Sequence, residues 1–402
     1  MFRLTHFLRE LTTPTPVGPR RDPPGPVVIW NLVRRCNLLC KHCYSISGDV
    51  DFSGELSTVE VFRVLDDLKA ARVPAVILSG GEPLLRPDIY EIAARAKDLG
   101  FSVSLSSNGA LIDDAHADRI AAARFDYVGV SLDGIGETHD RFRGRKGSFD
   151  ASIAGIRRLA ARGIKVGLRF TMTTDNQESF PALLDLMKAE GATKFYLSHL
   201  VYSGRGNKNR TSDAEHAVTR DAMNRLFAEA WADVKAGSER EYVTGNNDAD
   251  GVFLWMWAKA HAPEAADHLY AKLVQWGGNA SGVNVANIDN LGEVHPDTFW
   301  WDHSIGNVET RPFGEIWADT TDPLMAGLKA RPRRISGRCG ACAHFAVCGG
   351  NTRVRAYRLT GDAFAEDPAC YLDDAEIGLA GASDRLTVTP FRGLSREPYH
   401  AA

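Results

Sequence analysis

The chain has 402 residues, 47 of them basic and 51 acidic, for a formal charge of −4. That length exceeds one ordinary core and suits a large α/β domain with a smaller companion, while the near balance of charge offers no global attraction to nucleic acid or to an anionic membrane. No window approaches 18 uninterrupted apolar residues, and the opening MFRLTHFLREL lacks the apolar run and small-residue cleavage site of a secretory leader, so a cytoplasmic protein is expected.

Residues 12–26 carry six prolines and cannot continue a helix. Residues 1–26 are therefore expected to be a proline-rich head, with at most a short amphipathic helix on a stiff tether. From Val27 onward, apolar runs rich in β-branched residues alternate with stretches of helical period. VVIWNL precedes STVEVFRVLDDLKAA, AVILS precedes PDIYEIAARAKDLG, and SVSLSS precedes DDAHADRIAAA. YVGVSL, KVGLRFTMT and KFYLSHL are followed in the same way by FDASIAGIRRLAARG, FPALLDLMKAEG and VTRDAMNRLFAEAWADVKAG. Six βα units over 27–237 predict a parallel barrel or a doubly wound sheet, with the working face at the C-terminal ends of the strands. Residues 238–320 read as Trp-rich helices and a hairpin turning at Asp289-Asn290, residues 321–374 hold a second cysteine group, and 375–402 form a tail without strong periodicity.

The seven cysteines fall into two distant groups, which suits metal ligation in a reducing compartment better than a disulfide framework. Directly after the first strand comes RRCNLLCKHCYSIS, with Cys36, Cys40 and Cys43. Zinc wants four ligands and would need a histidine such as His42 to complete the set; a [4Fe–4S] cluster held by three thiolates keeps one iron open for another ligand. The second strand ends in SGGEP (Ser79 to Pro83), where Gly80 and Gly81 permit close backbone approach and Glu82 could accept from a ligand ammonium. The third ends in SSNG around Asn108, and the fourth in SLDG with Ser131 and Asp133. Taken alone each is a plain βα turn; three polar strand ends beside a cysteine triplet describe a site.

CxxxCxxC after the first strand and GGEP after the second resemble the radical S-adenosylmethionine (SAM) superfamily. The resemblance implies a partial (β/α)6 barrel in which Cys36, Cys40 and Cys43 ligate the cluster that cleaves SAM. It further implies that Gly80, Gly81, Glu82 and Pro83 receive the methionine ammonium, that Asn108, Ser131 and Asp133 bond the ribose and methionine parts, and that Arg143 pairs with the methionine carboxylate. The glycine-rich adenine contact of the fifth strand is only loosely matched by GIKVGLRFTMT.

The second group reads Cys339-x2-Cys342-x5-Cys348 with Cys370 beyond. Its spacing fits a second [4Fe–4S] cluster and a structural zinc about equally. It resembles the auxiliary-cluster extension of the SPASM and Twitch subgroups, whose full form has seven cysteines. Here Asp297 and Thr352 stand at two of those positions, which implies one auxiliary [4Fe–4S] cluster kept and one lost.

The phrases FYLSHLVYSGRGN, HPDTFWWDH, GNVETRPFGEIW and CGGNTRVRA resemble the NirJ family of haem d1 biosynthesis. That family transforms two propionate side chains of 12,18-didecarboxysirohaem through a 5′-deoxyadenosyl radical. Enzymes of the sirohaem-dependent haem pathway and SPASM-type peptide maturases are the alternatives. The resemblance implies an iron tetrapyrrole substrate and an electron donor such as flavodoxin or ferredoxin, with no nucleic-acid or membrane partner. A substrate rich in carboxylates calls for cations at the barrel mouth, where YSGRGNKNR offers Arg205, Lys208 and Arg210. His199 is a candidate axial ligand to its iron, with His295 or His303 as further choices.

Overall fold

The computed structural model describes residues 1–19 and 23–379; residues 20–22 of the expected head and the tail from residue 380 lie outside the described residues. The β-branched runs form ten strands in one sheet: β1 (Val27–Asn31), β2 (Ala75–Ser79), β3 (Ser102–Ser107), β4 (Tyr127–Ser131), β5 (Val166–Met172), β6 (Lys194–His199), β7 (Glu241–Gly245), β8 (Val285–Ile288), β9 (Glu293–His295) and β10 (Gly306–Asn307). Their order is β10-β9-β8-β1-β2-β3-β4-β5-β6-β7. β1 to β7 run parallel in sequence, β8 adds to β1 in parallel, and β9 and β10 turn back antiparallel.

This is an α/β fold built on a partial parallel barrel, extended at both ends beyond the six strands legible in the sequence. β7 comes from EYVTG, whose five residues sit between polar turns and carry no clear alternation. β8 and β9 form the expected hairpin around Asp289-Asn290, and β8 pairs Val285 with Val27 and Ile288 with Trp30.

Burial alternates along the strands. Val28 and Trp30 of β1 and Val76 and Leu78 of β2 are fully buried beneath helices, while Ile29 and Ile77 between them are half-buried. One face therefore packs against helices such as Thr58–Ala70, which buries Val61, Val64, Leu65 and Leu68 and opens with a Ser57/Glu60 capping box. The other face lines a lumen that solvent reaches. One hydrophobic core runs from Phe2 to Ile377 and takes in Val347 and Tyr371, so the second cysteine region packs on the barrel itself. No helix among the described residues is long and apolar enough to cross a membrane.

The head is docked, contrary to the expected tether. Phe2 exchanges backbone hydrogen bonds with Thr244 at 2.7 and 2.9 Å, and the Thr5 hydroxyl accepts from the Tyr242 amide at 2.7 Å. These contacts satisfy the outer edge of β7, which would otherwise present unpaired amides and carbonyls. Helix Leu4–Arg9 buries Leu4, Phe7 and Leu8, against helix His216–Lys235. Glu10, 2% exposed, accepts from Thr15, His268 and Lys272. Burial alone would raise its carboxyl, but those donors hold it down at about 2.

Leu8→Ala should lower stability by about 2–5 kcal/mol, because a fully buried side chain leaves a cavity. An unchanged urea midpoint would return the head to the status of a tether.

Candidate active site

The cluster loop follows β1, and the end of β2 fixes where it starts. The Gly81 amide donates to the Val33 carbonyl at 2.6 Å and the Glu82 amide to the Arg35 carbonyl at 2.9 Å, continuing the ladder up to Cys36. A Cβ on Gly80 would lie 2.4 Å from the Val33 oxygen, and one on Gly81 2.3 Å from the Arg35 oxygen. The glycine pair thus makes room for the chain's own cluster loop, where the sequence suggested room for a ligand. Glu82, the expected acceptor for a ligand ammonium, already takes donors from the chain itself. Its buried carboxylate takes the Leu84 amide at 3.2 Å, the Ser107 hydroxyl at 2.9 Å and the Asn108 amide at 2.8 Å, bracing the ends of β2 and β3; Pro83 opens the turn that follows.

Cys36 and Cys40 are buried, Cys43 is half-buried, and no cysteine is in a disulfide. Burial, reinforced by Glu82 and the neighbouring cysteines, pushes the Cys36 thiol up to about 12, and burial raises Cys40 against the pull of Arg143. Cys43 goes the other way: burial would raise it, yet Arg205 and the donors of Ser45 and Ser47 lower it. Two arginines hold the loop. Arg143 reaches Cys40 Sγ at 3.4 Å and Asp133 Oδ2 at 2.5 Å. Arg205 donates to the carbonyls of Cys40 at 2.7 Å and Ser47 at 2.8 Å, and its amide donates to the Cys43 carbonyl at 2.8 Å.

The rim residues converge on this loop. Asn108 donates to Asn37 Oδ1 at 2.8 Å, Asp133 Oδ1 accepts from the Thr171 amide at 2.8 Å, and Ser131 ends β4 opposite Arg169. Asn37 Nδ2, His42 Nδ1 and Arg143 Nε are buried without a hydrogen-bond partner. Unpaired buried polar atoms of this kind point to a polar ligand in the native complex.

The expected substrate residues do not converge. Lys208 is exposed, Arg210 folds back on Asn207 at 3.2 Å, and Arg205 is spent on the cluster loop. His199 follows Ser198, so it shares the helix-packed face with Phe195 and Leu197. Its Nε2 lies 3.1 Å from Asp250 Oδ2, and Tyr371 donates to Asp250 Oδ1 at 2.7 Å. That placement takes His199 away from the lumen. His295 is 2% exposed, with Nδ1 2.9 Å from the His303 carbonyl, and His303 lies 3.0 Å from Asp322. Arg169, inside the GLRFTM of β5, is a half-buried arginine beside this site that its sequence context makes visible.

Residues 30–187 match the family model of the Radical SAM superfamily. The chain is 56% identical over 99% of its own length and 99% of the other's to the pre-heme d1 synthase of Dinoroseobacter shibae. It is 44% identical, over 88% and 89% of the two chains, to the Fe-coproporphyrin III synthase of Methanosarcina barkeri. The chain belongs to the radical SAM superfamily. Among solved structures, SuiB of Streptococcus suis bound to its precursor peptide SuiA matches with a TM-score of 0.69 at 16% identity, covering 88% of this chain and 77% of that one, which is a likeness of fold.

For a radical SAM enzyme the triplet fits its cofactors: three thiols on one short loop, no fourth cysteine in that loop, and orphaned polar atoms beside it for a polar amino acid. Among the described residues no three His, Cys, Asp or Glu groups converge as ligands to a single metal ion do; an iron–sulfur cube carries its thiolates on separate irons and needs no such convergence. At the second group, backbone amides donate to sulfur: Asp367 to Cys339 at 3.3 Å, His344 to Cys342 at 3.3 Å and Gly350 to Cys348 at 3.4 Å, with Leu372 serving Cys370. Arg353 is fully buried near Cys339 and Cys348, with Nη2 unpartnered. At the two positions without cysteine, Asp297 accepts from Ser281 and from the Phe299 amide, and Thr352 donates to the Asn246 carbonyl.

Gly81→Ala should displace the start of the cluster loop and remove about four irons per chain from anaerobically reconstituted protein. Full iron content in that variant would show that the loop tolerates the added methyl.

Proposed function

We propose that this chain is the radical SAM enzyme of haem d1 biosynthesis that transforms two propionate side chains of 12,18-didecarboxysirohaem. The observation that carries this is the 56% identity over 99% of both chains to a pre-heme d1 synthase, a likeness that spans the barrel and the second cysteine region together. The 44% identity to an Fe-coproporphyrin III synthase favours, as second reading, another tetrapyrrole-modifying step.

When bound, the first cluster and SAM would supply the radical chemistry needed to abstract hydrogen at a propionate carbon. The chain's own part is binding, placement and exclusion of water. Cys36, Cys40 and Cys43 hold three irons, and Arg143 and Arg205 fix the loop that carries them. The backbone of Gly80 to Pro83, with Asn108, Ser131 and Asp133, lines the place of SAM. Cys339, Cys342, Cys348 and Cys370 would hold a second [4Fe–4S] cluster, and a full set of four thiolates would suit it to electron transfer. A cytoplasmic donor such as flavodoxin or ferredoxin provides the electron.

Anaerobic protein given SAM, a reductant and 12,18-didecarboxysirohaem should yield a tetrapyrrole altered at its propionates together with 5′-deoxyadenosine. Replacing Cys36, Cys40 and Cys43 together by alanine should abolish both products. Release of 5′-deoxyadenosine by the wild type over an unchanged tetrapyrrole would contradict the proposal.

A further inference from the structure

Among the described residues, Arg169 is a cation in the lumen beneath the cluster loop that no carboxylate side chain pairs with. Arg169 of β5 is half-buried and points inward with the lumen-facing residues of its strand. Its methylenes cross β4 over Gly129, where a Cβ would lie 2.8 Å from Arg169 Cδ. The guanidinium then reaches Ser106 Oγ on β3 and stands 5.4 Å from the centre of the Tyr196 ring. Among the described residues no carboxylate pairs with it. Lys194, the neighbouring lumen cation, is paired with Glu241 at 2.7 Å, and Arg143 is paired with Asp133.

A guanidinium has five N–H donors in a planar fork. Here one is spent on Ser106, in a passage cleared by glycine, and Ser131 faces the same lumen at the register position opposite Arg169. An arginine held this way by glycine, tyrosine and serine, and left without an anion, has the geometry for bidentate recognition of a carboxylate.

We propose that Arg169, with Ser106 and Ser131, forms a carboxylate-binding subsite in the barrel lumen that takes a propionate of the tetrapyrrole. This rests on the tetrapyrrole reading above. The methionine part of SAM is the other source of a carboxylate. Arg143 already donates to Cys40 Sγ and so lies at the cluster loop, whereas among the described residues Arg169 makes no hydrogen bond to that loop. Binding a propionate by its carboxylate would hold the adjacent carbons at the rim.

The test uses the reconstituted enzyme with SAM, and 12,18-didecarboxysirohaem both as the free acid and as its propionate methyl ester. Tetrapyrrole binding is followed by the Soret band, SAM binding by equilibrium dialysis, and iron is measured in every variant. Arg169→Gln should bind the free acid about tenfold more weakly, with SAM affinity kept within about twofold. Arg169→Lys should fall between, since it keeps the charge and loses the fork. Esterification should weaken binding to the wild type by a similar factor and leave Arg169→Gln unmoved. Should the glutamine variant fail to hold iron, the lysine variant and the ester on the wild type decide the matter. Equal binding of acid and ester by the wild type, or unchanged acid binding in a folded Arg169→Gln, overturns the subsite. Loss of SAM affinity with tetrapyrrole binding kept assigns Arg169 to the methionine carboxylate and overturns it too. A wild type that binds no tetrapyrrole overturns the functional reading itself.

Discussion

Three thiolates withdrawn from water pose an energetic problem that organises the barrel mouth. Burial pushes Cys36 and Cys40 toward the neutral thiol, yet a cluster needs thiolate. The fold answers with two guanidiniums that come from different elements and meet at one loop. Arg143 closes the helix after β4 and touches Cys40, while Arg205 follows β6 and grips the loop backbone on both sides of Cys43. Asp133 balances Arg143 from a position with no exposure. Breaking such a buried pair from one side costs about 3–5 kcal/mol, so the pair is as much a part of the loop's architecture as its sulfurs.

The same constraint explains the strand ends. The SGGEP turn has to accept the 33–35 backbone at van der Waals limits, and only glycine permits that approach. Glu82 then ties β2 to β3 from within. Motif residues that sequence alone assigns to a ligand therefore carry a prior task, which is to set the position of the cysteines. The lumen below follows a parallel logic, with Tyr127 and Tyr196 packed over Gly167 and Gly245 and Arg169 laid across Gly129. The second cysteine region shares the barrel's core through Val347 and Tyr371.

Much of this was legible in the sequence, for identifiable reasons. Strands buried on one face by helices read as β-branched runs, and clustered cysteines after a strand declare themselves by spacing. What escaped depended on long-range pairing. Nothing local in EYVTG signals β7, and Phe2 finds its place only because that strand has an open edge 242 residues later. Arg205 reads in the sequence as a cation at the barrel mouth for substrate, because the loop it grips lies far away along the chain. The alternation in KFYLSH places His199 with Phe195 and Leu197, on the face turned from the lumen, where it meets Asp250.

If Cys36, Cys40 and Cys43 leave one iron of the cluster open, the amino acid part of SAM completes it. Electron–nuclear double resonance on the reduced enzyme, with SAM carrying 15N in its amino group, tests this directly. A 15N hyperfine coupling to the cluster is predicted. Its absence while SAM is bound would mean that the fourth iron has another ligand and that the open-site account is wrong.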